Sequence, residues 1–321
     1  MNSETETVTQ TVKAETSPLI EVRDLHKTYS GGKDALNGAS LTVQPGQVYG
    51  LVGANGAGKT TLIKILLGLL RSKQGTAHLF GKPFGKSSPA ERARVASVSQ
   101  EHSAYPSMTL AELCYYLSGF YHLWDQTFAD HLRGRFELPA DTPLGQLSGG
   151  ERRRASILLA LATRAQVLIM DEPAANLDPM ARRTLLEELA GVLADREGTT
   201  VLFSTHILSD LERIADTIGI LKKGVITHES SVEDLTSNLR KVQVIFTETA
   251  MPDAFQLPGQ LGTPTREGNV YTATARVPTD DFKNLRDRPG VRIQLFPVSL
   301  EDALIELMES GKVKGGSGDE V

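Results

Sequence analysis

Residues 48–70 constrain the fold of this chain more than any other stretch. An apolar run at 48–52 leads into the glycine-rich segment 53–61, which is followed by apolar residues at helical spacing. The segment fits the pattern of glycine, any four residues, then Gly-Lys-Ser/Thr, with a predicted strand before it and a predicted helix from Thr60. A strand, a tight loop and a helix in this order predict an α/β fold built around a phosphate-binding loop.

The loop has the chemistry of a polyphosphate site. Its three glycines allow a tight turn that points backbone N–H groups inward, and the following helix adds the positive end of its dipole. Lys59 is expected to hold the β- and γ-phosphates, and the Thr60 hydroxyl to bind Mg²⁺. A glycine-rich turn without a ligand is the disfavoured alternative. The candidate residues are Gly53, Ala54, Asn55, Gly56, Ala57, Gly58, Lys59, Thr60 and Thr61.

Length, net charge and cysteine content limit the classes of protein to which this chain can belong. The 321 residues suffice for two domains, and a net charge of −5 gives no sign of nucleic-acid binding. No apolar run reaches the roughly 18 residues of a membrane-spanning helix. Residues 1–17 lack a basic-then-apolar signal and are predicted to be a disordered tail. The single cysteine, Cys114, fits a reducing compartment and is expected to pack rather than react.

Several segments before residue 120 predict secondary structure. Residues 41–43 and 48–52, separated by Pro45-Gly46, predict a hairpin that leads into the phosphate loop. Further strands are predicted at 20–25, 75–81 and 95–100, and a helix at 109–117.

A pair of carboxylates follows a buried strand. The apolar run 167–170 is typical of a strand covered on both faces of a parallel sheet, and it ends in Asp171-Glu172. Such an aspartate can hold Mg²⁺ opposite the loop threonine, and the next glutamate can polarise an attacking water. The predicted strand at 200–205 is followed by His206. A lone histidine is most often structural, but this one is placed to contact a γ-phosphate.

Residues 147–151, Leu-Ser-Gly-Gly-Glu, begin a predicted apolar helix. Free N–H groups at a helix start form a second place where an anion could bind, although the signal is weak alone. The arginines at 152–154 are expected to form a solvated helix face. Residues 176–178 predict a turn, and 180–194 an amphipathic helix.

Two residues stay ambiguous on their own. Tyr29 is an aromatic residue in a polar turn, where packing is a simpler interpretation than base stacking. Gln100 ends a predicted strand, where a solvated cap is more common than a role in ordering Mg²⁺ or water.

Over residues 18–232 the chain resembles the nucleotide-binding subunit of the ATP-binding cassette (ABC) transporters. The Ser-Gly-Gly signature ahead of the carboxylate strand is far more specific than a phosphate loop alone. Two features depart from the family pattern, namely Glu151 where glutamine is usual and a short span from 100 to 147. The motifs occur in the family order: Tyr29 (A-loop), 53–61 (Walker A), Gln100 (Q-loop), 147–151 (signature), 167–171 (Walker B) with Glu172, 176–178 (D-loop) and His206 (switch).

The resemblance implies an ABC-type P-loop ATPase core with antiparallel β and helical subdomains. Two cassettes would enclose two ATP molecules, each bound by the P-loop of one chain and by Ser148, Gly149 and Gly150 of the other. Tyr29 would stack on adenine. Metal ligands would be Thr60, Gln100 and Asp171, and Glu172, His206 and Gln100 would serve hydrolysis.

The same resemblance implies partners and a location. The subunit would dimerise, with a second copy favoured, and drive a separate transmembrane permease, with export favoured. It would be cytoplasmic, on the cytoplasmic face of the cell membrane, and would bind no nucleic acid. Tyr105, Pro106, Met108 and Leu110 are the candidates for lining the groove that docks the permease.

Residues 238–310 are predicted to form a small α+β C-terminal domain, with a flexible tail at 311–321. It resembles the C-terminal domain of cassette subunits that serve drug and polysaccharide exporters, and a packing or dimer-stabilising role is favoured over a regulatory site. Polar segments between its strands are predicted to be turns or loops. A capping Ser231 predicts a short helix ahead of it, strands are predicted at 242–246, 270–275 and 291–295, and a capped helix begins at Ser299.

Three rival classes fit less well. A cassette protein that acts on ribosomes or DNA would usually carry two cassettes or long coiled-coil insertions, and a kinase would need no Ser-Gly-Gly signature. A degenerate regulatory cassette would lack catalytic groups, yet Lys59, Asp171, Glu172 and His206 are all present.

Overall fold

The computed structural model describes residues 17–100, 105–195, 198–247, 251–277 and 284–310. The two predicted tails, 1–17 and 311–321, lie outside these residues except for Ser17. The strands are β1 (Ile20–Thr28), β2 (Asp34–Val43), β3 (Val48–Val52), β4 (Gln74–Leu79), β5 (Val95–Val98), β6 (Val167–Asp171), β7 (Thr200–Thr205), β8 (Thr217–Lys222), β9 (Val225–Ser231), β10 (Leu239–Phe246), β11 (Gln260–Glu267), β12 (Val270–Arg276) and β13 (Val291–Pro297). The α-helices are α1 (Lys59–Leu66), α2 (Pro89–Arg92), α3 (Leu110–Ser118), α4 (Gln126–Arg135), α5 (Gly149–Ala162), α6 (Pro179–Asp195), α7 (Leu211–Ile214), α8 (Val232–Asn238) and α9 (Leu300–Ser310).

A six-stranded sheet in the order β5-β6-β7-β3-β8-β9 forms the centre of the molecule. Its first five strands are parallel, and β9 pairs antiparallel with β8. Strands β3, β6 and β7 are buried along their whole length, which explains their continuous apolar sequences. Because parallel strands end at the same edge, the loops after β3, β6 and β7 meet there.

The two faces of this sheet pack against different layers. Side chains alternate along a strand, so Val167 and Ile169 of β6 join an apolar cluster with α1, β1 and β2. Leu168 and Met170 face the opposite cluster, which includes residues of α3 to α6. The mixed α/β architecture predicted from the sequence is therefore confirmed.

The predicted hairpin between residues 41–43 and 48–52 is wrong. A turn does form, with the N–H of Gln47 donating to Gln44 O at 3.2 Å. Beyond it, however, the N–H of Val48 donates to Asp216 Oδ2 at 2.8 Å, and β3 pairs with β7 and β8. Strand β2 pairs with β1 in a separate antiparallel sheet of order β2-β1-β4.

A four-stranded antiparallel sheet of order β11-β12-β10-β13 follows the cassette. The three strands predicted from the sequence correspond to β10, β12 and β13, but β11 lies where turns or loops were predicted. Its sequence contains Gly262 and Pro264, and its register with β12 shifts between Leu261 and Thr265. Glycine, proline and a bulge weaken the strand pattern, which explains the error.

Helix α9 connects this sheet to the cassette. Its residues Leu300, Ala303 and Leu304 belong to the same buried cluster as helices of the cassette. Across the same junction, Lys222 Nζ donates to Met308 O at 2.5 Å. In the described part of the chain, no helix is both long enough and apolar enough to cross a membrane.

Cys114 lies in the core of the helical layer. It is buried in a cluster with Leu110 and Leu113 of the same helix. Burial raises the pKa of the Cys114 thiol to about 11, with a smaller contribution from the charge of Asp130. The expectation that this cysteine packs in the core is confirmed.

Candidate functional site

The glycine-rich loop connects β3 to α1 as predicted, with the helix beginning at Lys59. Gly58 has a φ of +113° at the N-cap of α1, and a Cβ there would lie 2.4 Å from Ala35 O. A Cβ on Gly53 would lie 2.4 Å from Leu221 O. Glycine avoids the collision at both positions, and at Gly58 it also avoids the strain of a left-handed backbone. The loop therefore lies close against the neighbouring backbone.

Lys59, Glu172 and His206 meet at the carboxyl edge of the central sheet. Lys59 Nζ donates to Gly53 O at 2.6 Å and lies 3.2 Å from Glu172 Oε1. The other carboxylate oxygen of Glu172, Oε2, lies 3.2 Å from His206 Nδ1. Lys59 and Glu172 are both buried, whereas His206 is largely exposed. Two residues predicted separately from distant segments, Lys59 and His206, thus flank the carboxylate of Glu172.

The carboxylate pair after β6 is held by strand β7. Ser204 Oγ donates to Asp171 Oδ1 at 2.6 Å, and the N–H of Glu172 donates to Ser204 Oγ at 2.9 Å. Glu172 has a φ of +49°, a left-handed conformation that is rare outside glycine. Such a conformation costs about 1–3 kcal/mol and persists only where its surroundings impose it, as often happens at functional sites.

The burial of Arg153 differs from the prediction made from the sequence. The arginines at 152–154 were expected to form a solvated helix face, but Arg153 is only 4% exposed. Its Nη1 donates to Ser99 O at 2.6 Å, and its Nη2 donates to Glu172 O at 2.8 Å and to Asp171 O at 3.3 Å. Charge alone predicted exposure, and no local pattern indicated these three carbonyl partners.

The Ser-Gly-Gly segment forms the start of α5. Ser148 Oγ accepts from the N–H of Glu151 at 3.2 Å, and Glu151 Oε2 accepts from the N–H of Ser148 at 2.7 Å. This reciprocal capping box lowers the pKa of Glu151 through its hydrogen bonds with Ser148. Ser148 and Gly149 are exposed, so this helix start faces the surface. Glu151, the departure from the family pattern, therefore stabilises the helix start.

The remaining motif residues lie around the same edge. The Tyr29 hydroxyl is 3.2 Å from Thr61 Oγ1, and the ring is 41% exposed beside the loop. Gln100 is exposed just after β5. Asp178 Oδ1 accepts from the N–H groups of Met180 and Ala181 at 3.0 and 2.9 Å and so caps α6.

The four residues proposed to line a docking groove do not all lie on the surface. Tyr105 and Pro106 are exposed and Met108 is half-buried, but Leu110 is 1% exposed and belongs to the core. The prediction for Leu110 is therefore wrong, because the apolar face of α3 that carries it points inward.

The sequence interpretation named Tyr105 but missed the exposed rings that lie beside it. We call this cluster of rings the aromatic surface, and it consists of Tyr105, Tyr115, Tyr116 and Phe120. Ring centroids lie 5.6 Å apart for Tyr105 and Tyr116 and 5.1 Å apart for Tyr116 and Phe120. Tyr115 is 84% exposed and Phe120 is 56% exposed. The signal was available, because adjacent aromatics on an amphipathic helix cannot all face its core.

Comparison with known proteins gives consistent matches. Residues 36–175 match the family model described as ABC transporter. The chain is 34% identical over 297 residues to a Nod factor export ATP-binding protein I of Burkholderia orbicola (strain AU 1054), covering 90% of this chain and 96% of that protein. It is 30% identical over 290 residues to the ABC transporter ATP-binding protein YtrB of Bacillus subtilis (strain 168), covering 89% and 97%.

Solved structures share the fold. An ATP-binding subunit of an ABC transporter matches with a TM-score of 0.60 and 28% identity, over 68% of this chain and 92% of that one. A dimeric ATP-binding cassette with bound ADP and phosphate matches with a TM-score of 0.58 and 23% identity, over 66% and 98%.

Proposed function

This chain belongs to the ABC transporter family as an ATP-hydrolysing subunit, and we propose that it acts as half of a dimer that encloses two ATP molecules and drives a separate permease. The observation that carries the proposal is the pair of complementary half-sites on one chain. Lys59, Glu172 and His206 surround one position, while the exposed start of α5 carries a second set of anion-binding N–H groups. A two-fold dimer would join each half-site to its complement.

Each bound nucleotide would contact both chains. Tyr29 would stack on the adenine, and the loop residues 53–61 with Lys59 would hold the phosphates. Ser148, Gly149 and Gly150 of the second chain would approach the γ-phosphate. The Ser148 hydroxyl serves its own helix cap, so its N-terminal N–H groups and dipole would supply most of this attraction.

The residues present suit a magnesium ion. Asp171 presents a buried carboxylate held by a serine hydroxyl, Thr60 adds a hydroxyl and Gln100 an amide oxygen. Mg²⁺ prefers such hard oxygen donors and usually binds together with substrate phosphates. When bound, the ion would neutralise charge that develops on the phosphate oxygens.

Glu172 would polarise the attacking water. Phosphates in the loop offer Lys59 a stronger partner than loop carbonyls, so Lys59 would turn toward them and release Glu172 Oε1. That oxygen would accept a proton from the water as it attacks the γ-phosphorus, while the bond to the β-phosphate oxygen breaks and ADP leaves. His206, 3.2 Å from the other oxygen, would hold the carboxylate and contact the γ-phosphate.

The permease would dock on the aromatic surface, and transport would run in the export direction. The relatives named for Nod factor export support that direction. Exposed aromatic clusters are typical of protein interfaces, which favours a protein partner. The subunit would then lie on the cytoplasmic face of the membrane, with residues 18–232 as the ATPase domain, 238–310 as a packing or dimer-stabilising domain, and no nucleic-acid partner.

The shared-site arrangement can be tested by mixing two inactive variants. Lys59→Met removes the phosphate lysine, and Ser148→Arg obstructs the start of α5. In a mixed dimer one nucleotide site carries both substitutions, whereas the other site is intact because it combines Lys59 of the Ser148→Arg chain with Ser148 of the Lys59→Met chain. We expect each variant alone to be inactive and an equimolar mixture to recover roughly a quarter of the wild-type rate of ATP hydrolysis.

The control for this mixture is each variant with itself at doubled concentration, which leaves every site defective. Lack of recovery in the mixture, with both variants folded, would contradict a nucleotide site shared between chains.

The docking proposal predicts a selective loss of membrane association. Tyr115→Ser together with Phe120→Ser removes two exposed rings and should reduce binding to membrane vesicles from the native cells by about 10-fold or more. ATP hydrolysis by the purified chain should be unchanged. Leu123→Ser is the matched control, since Leu123 is 71% exposed but lies outside the aromatic surface. Equal membrane binding by wild type, the double variant and Leu123→Ser would contradict docking of the permease on the aromatic surface.

A further inference from the structure

Arg153 physically joins three parts of the site that are far apart in the sequence. Its carbonyl partners belong to Ser99, Asp171 and Glu172, so the guanidinium connects α5 to the carboxyl ends of β5 and β6. A guanidinium is planar and carries five N–H donors in a rigid fork, so it can fix several acceptors relative to one another. A movement of α5 would therefore displace the carboxyl ends of β5 and β6.

The contact with Glu172 bears on the catalytic carboxylate. The left-handed peptide of Glu172 is fixed on one side by its N–H bonds to Ser204. On the other side, its carbonyl accepts from Arg153 at 2.8 Å and from the N–H of Ala175 at 3.0 Å. Loss of Arg153 would leave this peptide held on that side by the following turn alone. The carboxylate would then rest in a less defined position.

The other end of the connection is the exposed start of α5. Arg153 lies just over one helical turn beyond Ser148, on a continuous helix. A helix moves as a rigid element, so a shift or rotation of its first turn is transmitted to the guanidinium with little loss. The Arg153 guanidinium also donates to Ser99 O, so the backbone just before Gln100 is attached to α5 through the same side chain.

We propose that Arg153 is a positioning residue that transmits the docking of α5 on the second chain's nucleotide to Glu172 in its own site. The inference rests on the dimer proposed above. In that dimer the start of α5 serves the nucleotide bound by the other chain, whereas Glu172 serves the nucleotide bound by its own chain. Arg153 therefore links the two ATP sites.

The test compares Arg153→Gln with wild type for kcat, ATP affinity, the Hill coefficient for ATP and thermal stability. Displacement of a catalytic group can lower the reaction rate by about 10- to 100-fold, so we expect the kcat of Arg153→Gln to fall by that factor. The affinity of the single chain for ATP should change by less than about twofold, because no P-loop contact is altered. The Hill coefficient should fall toward one.

Arg164→Gln is the matched control for stability. Arg164 lies just beyond the other end of α5, where it pairs with Asp125 at 2.5 Å and stacks over Phe128. Its loss should lower the thermal midpoint without changing kcat per folded chain. A fall in kcat for Arg153→Gln that merely parallels its loss of folded protein, as in this control, would overturn the proposal. A wild-type kcat and Hill coefficient in folded Arg153→Gln would also overturn it.

Arg153→Lys keeps the test decisive if the glutamine variant does not fold. A single ammonium group cannot span three carbonyls as the guanidinium does, so we expect kcat between those of wild type and the glutamine variant. Full kcat and cooperativity in folded Arg153→Lys would contradict the positioning role.

The Glu172→Gln background separates this inference from the proposed function. If Glu172→Gln forms no ATP-dependent dimer, the homodimer in solution on which this inference rests fails, and the link between its two sites fails with it. If Glu172→Gln dimerises, Arg153→Gln in the same background should dimerise as well, because Ser148, Gly149 and Gly150 are unchanged. If Glu172→Gln dimerises but Arg153→Gln has the kcat and Hill coefficient of wild type, the role of Arg153 is rejected while the proposed dimer stands.

Discussion

Replacing Glu172 with glutamine is expected to lower ATP turnover by about 100- to 1000-fold while leaving ATP bound. Glutamine keeps the shape of the side chain but cannot accept the proton of the attacking water. The P-loop contacts that hold the phosphates are untouched. With hydrolysis blocked, the enclosed dimer should persist, so light scattering in Mg-ATP should give twice the mass found without nucleotide.

Glu188→Gln provides the control for loss of a carboxylate. Glu188 lies on α6, where it pairs with Arg135 at 2.8 Å, and its substitution should change neither turnover nor mass. Turnover of Glu172→Gln within about threefold of wild type would contradict the role of Glu172 as the water-polarising group. A persistent monomer with bound ATP would contradict a homodimer in solution and favour a different cassette, or the permease, as a requirement for pairing.

Replacing Lys59 with methionine is expected to weaken ATP binding by about 100-fold and also to destabilise the chain without nucleotide by about 1–3 kcal/mol. The first effect follows from the loss of a charge at the phosphates. The second follows from the ion pair with Glu172, because both side chains are buried and the carboxylate loses one of its two basic neighbours. Nucleotide titration and urea unfolding measure the two effects.

A double-variant cycle isolates the ion pair. If the deficit arises from a buried carboxylate without its lysine, Lys59→Met/Glu172→Gln should recover most of the stability lost in Lys59→Met. Lys82→Met removes a solvent-screened ion pair with Glu91 and should cost much less stability than Lys59→Met. Equal deficits in Lys59→Met and the double variant would show that the lost stability does not come from an unpaired Glu172 carboxylate.

The elements that the sequence predicted well carry their signal in consecutive residues. The strand, loop and helix around Lys59 follow from a glycine pattern and two apolar runs, and the fully buried β6 and β7 follow from theirs. The parallel edge that gathers their ends then brings Lys59, Glu172 and His206 together. Those parts of the site could be predicted because Glu172 and His206 directly follow their strands and Lys59 follows β3 through a recognisable glycine-rich loop.

Two of the errors concern contacts between distant segments. Arg153 meets carbonyls that lie 54, 18 and 19 residues away, so no window around 152–154 could distinguish it from a solvated arginine. Strand β3 follows β2 across a short turn, yet its partners β7 and β8 lie far along the chain. Leu110 was predicted to line a docking groove, whereas the helical period of α3 turns it into the core. Local sequence patterns identify helices and strands, whereas the segments that these contact are set by the packing of the whole fold.

The buried thiol of Cys114 makes this chain convenient for site-directed labelling. The sequence contains one cysteine, and its side chain is enclosed by apolar neighbours with a pKa of about 11. Alkylating reagents attack the thiolate, which is scarce at neutral pH for such a group. A cysteine introduced at an exposed position such as Gly149 would therefore react first in the folded protein. Spectroscopic probes and disulfide cross-links between two chains can thus be placed without removing the native cysteine.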